Sequence, residues 1–195
     1  MAKQLKILVV EDEQRNVDIV KQAFHDTVEH LKRWNLLSEM NFDYISIEWI
    51  RGEDKTTKRG KEYYFFTEKV LDELEKRIAR EPNEKLGILL DVILTKEEQE
   101  RCNVNDFTRV ELSRKIFDKY EDKCNLYLIT GLRSFGTLAW GIFGRNNLKD
   151  QYIPRELVGD YPSYMTISKA LYWLKNGKKM NEELVKTIEE RELQE

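Results

Sequence analysis

The sequence predicts an α/β domain: a parallel β-sheet with helices packed on both faces. Two observations predict it. Short apolar runs without alternation recur at residues 6–10, 86–94 and 126–130, the pattern of strands buried on both faces. Between such runs lie stretches whose apolar residues step by three or four, the spacing of one helical face, and strand–helix alternation needs the crossover connections of a parallel sheet. A chain of 195 residues fits one domain.

The elements follow in order. Lys-Ile-Leu-Val-Val at 6–10 is β-branched and continuous, a central strand. From Asn16 to about Trp34, Val17, Val20, Phe24, Val28 and Leu31 share a helical face. In YISIEWI at 44–50, Ile45, Ile47 and Trp49 alternate with Ser46 and Glu48, as in a strand at the sheet edge with one wet face. The polar stretch RGEDKTTKRGKE before YYFFT (63–67) is expected to be a loop or extended hairpin. Val70, Leu71, Leu74 and Ile78 predict a helix over 68–80, with Pro82 just beyond its end. LGILLDVIL at 86–94 is a doubly buried strand interrupted by Gly87 and Asp91. Val110, Leu112, Ile116 and Phe117 suggest a helix between 104 and 120, and LYLIT at 126–130 gives another strand closed by Gly131. Residues 132–162 are mixed helix and loop. YMTI at 164–167 is expected as the last strand, with Ser168 capping the helix KALYWLKN and Gly177 ending it. Residues 181–195 form a charged terminal helix or tail.

Composition excludes several classes. Net charge is −3, with 33 basic and 36 acidic residues interspersed, so no basic field marks a nucleic-acid partner. The two cysteines, Cys102 and Cys124, lack metal-ligand spacing and are too few for a disulfide framework. The first apolar run is far shorter than the ~20 residues of a membrane span, and no cleavage pattern follows it. A cytoplasmic location without membrane contact is therefore expected. His25 and His30, in the first helix, lack a ligand pattern and are expected at its surface or boundary.

The polar residues carry the chemistry. In an open parallel sheet the carboxyl ends of the strands form the binding edge, and there the sequence places Glu11 and Asp12, Asp91, Thr130 and Lys169. Carboxylates gathered at the mouth of an apolar core repel one another unless a cation offsets them. Mg²⁺ suits the role, since it takes one or two carboxylates, keeps waters and accepts a phosphate oxygen. Asp91 is placed to ligate it and to act as a nucleophile forming an acyl phosphate. Thr130 offers a hydroxyl, and Lys169 an ammonium for phosphoryl oxygens.

These stretches resemble the receiver domain of response regulators in two-component signalling. ILVVEDE matches the family's first strand and acidic pair, LLDVIL its phosphoacceptor strand, LITG its fourth-strand hydroxyl and ISKA its lysine motif. The resemblance implies a flavodoxin-like, doubly wound sheet of five parallel strands in the order 2-1-3-4-5. It further implies Asp91 as phosphoacceptor, with Thr130 and Lys169 beside it. Mg²⁺ would be held by Glu11, Asp12, Asp91 and the backbone carbonyl of Ile93. The chain exceeds a minimal receiver of about 120 residues, so the expected division is one domain over 1–180 with insertions near 35–67, 95–106 and 132–160. Ala170 follows the lysine where the family has proline, Thr166 holds the usual aromatic position, and Thr95 stands where proline is common.

The expected function is a stand-alone receiver that takes a phosphoryl group from a sensor histidine kinase or phosphotransfer protein. Its output is association with a downstream protein, and a homodimer stays open. Two alternatives remain: a receiver-like partner-binding module that is not phosphorylated, and a Mg²⁺-dependent phosphate-processing enzyme. The second is disfavoured, because Val92 and Ile93 follow Asp91 where several aspartyl-phosphate hydrolases carry another aspartate.

Overall fold

A computed structural model of the chain describes residues 3–11, 14–51, 61–80, 84–91, 115–116, 118–130, 152–154 and 163–194, with the backbone alone at 61–68, 91, 130 and 152–154. The elements are β1 (Gln4–Glu11), α1 (Gln14–Arg33), α2 (Leu37–Met40), β2 (Tyr44–Arg51), α3 (Lys61–Arg80), β3 (Leu86–Asp91), β4 (Cys124–Thr130), β5 (Tyr152–Pro154), α4 (Tyr164–Asn176) and α5 (Glu182–Glu192). Four strands pair in parallel in the order β2-β1-β3-β4. The three-residue β5 pairs in parallel outside β4.

Alternation of side chains along the strands feeds two cores. Leu5, Ile7, Val9, Leu89, Tyr127 and Ile129 pack with α1, α4 and α5. Leu8, Val10, Ile88, Leu90, Leu126 and Leu128 pack with Val70 and Leu74 of α3 and with Ile116 and Tyr120 of a helical segment ending at Tyr120. The architecture is therefore α/β with helices on both faces, as the unbroken apolar strands predict.

The helix α1 buries Val17, Val20, Phe24, Val28 and Leu31, the residues whose spacing predicts it, and Thr27 is satisfied by its hydroxyl donating to the Ala23 carbonyl at 2.8 Å. Left-handed Asn35 (φ 59°) ends the α1 turn, where the Leu36 N–H donates to the Leu31 carbonyl at 2.9 Å. The edge strand β2 buries Ile45 and Ile50 and leaves Tyr44 exposed.

Three expectations need correction. YMTI (164–167) is not a strand: it opens α4, capped by Ser163, whose hydroxyl accepts from the Thr166 N–H at 3.3 Å. Ser168 is thus no cap but a fully buried residue of that helix. The helix α3, 20 residues long, begins at Lys61, so the last two residues of RGEDKTTKRGKE are helical rather than loop or hairpin; residues 52–60 of that stretch lie outside the described residues. The stretch 35–67 contains α2, whose Met40 is fully buried, and β2, the strand expected at 44–50. Residues 132–160 likewise contain β5. The expected insertion at 95–106 lies outside the described residues.

The C-terminal segment takes the helical form of the expected helix or tail, and it packs on the core. Asn181 caps α5 by accepting from the Leu184 N–H at 2.7 Å, and Leu184 and Ile188 join the core beside α4. The packed unit therefore continues past residue 180. Gly177 ends α4 as predicted, in the left-handed conformation (φ 63°), with its N–H donating to the Trp173 carbonyl at 2.8 Å.

Candidate functional site

The sheet register brings three of the sequence-predicted residues, Glu11, Asp91 and Thr130, to one edge. Val10 pairs with Leu90, so Glu11 and Asp91 are the next residues on neighbouring strands. Asp91 itself pairs with Ile129, and Thr130 with Pro154. Neighbouring strands lie about 4.8 Å apart. The last residues of β1, β3, β4 and β5 are accordingly Glu11, Asp91, Thr130 and Pro154, aligned across the carboxyl edge. Asp91 and Thr130 are placed here by their backbones. Asp12 and Ile93 lie outside the described residues.

Glu11 is the side chain defined in most detail. It is 3% exposed, and a carboxylate removed from water in this way must be compensated by donors or by positive charge. Asn16, in the first turns of α1, donates from Nδ2 to Glu11 Oε1 at 2.8 Å. Trp49, on β2, donates from its indole Nε1 to the Glu11 carbonyl at 2.8 Å. Arg51 is the register partner of Glu11, and its guanidinium carbon lies 5.8 Å from the Trp49 ring centroid, a cation–π distance.

Asn16, Trp49 and Arg51 are not among the residues singled out by the sequence. Asn16 carries a weak signal, a polar residue five positions after Glu11 at the head of an apolar helical face. Nothing in the alternation of β2 distinguishes Trp49 from an ordinary inward residue.

Lys169 is not at a strand end. It is exposed on α4, next to Ser168 and Ala170, which face the core. His25 is exposed, whereas His30 is half-buried with its ring stacked on Tyr164 at 3.9 Å and edge-on to Trp34 at 5.6 Å.

A carboxylate ending each of two adjacent strands, with Asp12 next in sequence to one of them, is a hard-oxygen donor set that fits a divalent cation. Among the described residues no group of three or more His, Cys, Asp and Glu is placed to hold a metal, and the expected set extends to Asp12 and Ile93, beyond those residues. Also among the described residues, no helix is long and apolar enough to cross a membrane. No protein-family model, curated protein or solved structure matches the chain.

Proposed function

We propose that the chain is a receiver-type phosphoacceptor, flavodoxin-like in its five-stranded order, that signals by associating with another protein. The observation carrying this reading is the alignment of Glu11, Asp91 and Thr130 at the carboxyl ends of three neighbouring strands, the edge where open parallel sheets bind ligands. In the reaction an Asp91 carboxylate oxygen bonds to phosphorus as the P–N bond of a donor phosphohistidine breaks. The bonding pair returns to the imidazole nitrogen, which takes up a proton. Mg²⁺ held by Glu11, Asp12, Asp91 and the Ile93 carbonyl would offset the negative charge of the phosphoryl group. Thr130 would donate its hydroxyl to a phosphoryl oxygen. Lys169 is exposed on α4 rather than at a strand end and is given no part in this reading.

The position of Lys169 also favours a second reading, a receiver-like module that binds a partner without being phosphorylated. One measurement separates the two. The full chain is incubated with acetyl phosphate and Mg²⁺ and its intact mass compared with that of Asp91→Asn. The wild type is expected to gain one phosphoryl group and the variant none. Absence of an adduct favours the binding module, and release of inorganic phosphate without an adduct favours a phosphate-processing enzyme.

A further inference from the structure

We propose that Asn16 and Trp49 are positioning residues for Glu11 as a cation ligand, an inference that rests on the acidic-site reading above. Glu11 ends β1 and is almost completely buried, so little water remains to orient it. Two different elements hold it instead. Asn16 approaches from α1 and bonds one carboxylate oxygen, and Trp49 approaches from β2 and bonds the backbone carbonyl of the same residue. The first bond sets the rotamer and the orientation of the carboxylate plane. The second fixes the strand terminus from which that side chain projects.

The β1–β2 ladder brings the indole to this carbonyl. Its last pair is Glu11 with Arg51, so the Glu11 carbonyl stands at the end of the ladder. Trp49, two residues before Arg51 on the neighbouring strand, donates its indole N–H to that carbonyl. Groups that orient a metal ligand without touching the metal typically change metal affinity by 10–100-fold when removed.

The molecule supplies its own control. Trp173, on α4, makes the equivalent bond, its indole N–H donating to the Leu126 carbonyl of β4 at 3.1 Å, but Leu126 is four residues from the carboxyl end of that strand. Trp→Phe at either position deletes an indole-to-strand hydrogen bond, and only position 49 lies at the acidic edge.

The test is calorimetric titration of Mg²⁺ into the full chain and into Asn16→Ala, Trp49→Phe and Trp173→Phe, with thermal melts in EDTA. Asn16→Ala and Trp49→Phe are expected to weaken Mg²⁺ binding roughly tenfold, while Trp173→Phe binds as wild type. The EDTA melts are expected to fall by similar amounts for the two tryptophan variants. Unchanged affinity in Asn16→Ala and Trp49→Phe, or an equal loss in Trp173→Phe, overturns the proposal while leaving the Asp91 reading intact. Absence of Mg²⁺ binding by the wild type removes both.

Discussion

Gly87 shows how one residue sets a packing distance. A Cβ there would lie 3.0 Å from Leu174 Cβ and 3.3 Å from the Lys6 carbonyl oxygen, so the missing side chain is what lets α4 approach β3. The gap in the apolar run at Gly87 is thus a point of helix–sheet contact rather than a weakness in the strand. Neither neighbour can yield easily, since one is a β-carbon and the other a backbone oxygen. Gly87→Ala should therefore destabilise the chain by about 1–3 kcal/mol, the usual cost of overpacking. Urea unfolding should show a lower midpoint with an unchanged slope. At the same scale, Glu11 is a sequence-predicted residue whose burial and hydrogen bonds the structure defines. Its supporting residues were not legible, because Asn16 and Trp49 act through contacts that no local periodicity encodes.

Among the elements, α4 departs furthest from the sequence reading, for a physical reason. It packs against β4 and β3 on one side and against α1 and α5 on others, and it buries Met165, Ile167, Ala170, Leu171, Tyr172 and Leu174. A helix covered on several sides loses the polar face that distinguishes it from a buried strand, and YMTI is short enough to read either way. The start of α3 was hidden differently, because Lys61 and Glu62 close a polar, glycine-containing stretch that reads as loop, while the backbone is helical from Lys61 onward. By contrast β1, β3 and β4 were legible because burial on both faces leaves continuous apolar runs, and α1 because it keeps a solvated face. The charged composition of 181–195 concealed two anchors, Leu184 (1% exposed) and Ile188 (0%). Ile188→Ala should cost about 2–5 kcal/mol, whereas Glu190→Ala, on the exposed side, should leave the melting temperature nearly unchanged. Equal melting temperatures for the two variants would contradict docking of α5 on the core.

At the scale of the whole molecule, the two layers hold groups that respond oppositely to alkaline pH. On the α3 face, burial of Cys124 pushes its thiol up from 9.0 to about 12. Across the sheet, burial holds the Lys175 ammonium below its ordinary value even though Nζ donates to the Gln4 carbonyl at 2.8 Å. For Cys124 the unfolded chain loses its proton first, so the folded state binds more protons between these two values, and stability falls as pH rises through that window. For Lys175 the unfolded chain keeps its proton longer, so stability rises with pH in the interval just below 10.5. The thiol should dominate, because its window is wide and each pH unit is worth up to about 1.4 kcal/mol. Tyr120, in the same core, acts in the thiol's direction, its hydroxyl raised first by burial and then by its bond to Glu75. Unfolding free energy measured from pH 8 to 11 should therefore decline in the wild type and decline less steeply in Cys124→Ala, whatever the two proteins' stabilities at neutral pH. Parallel pH profiles would mean that the thiol titrates alike in the folded and unfolded chain, and that the α3-facing core admits water at β4.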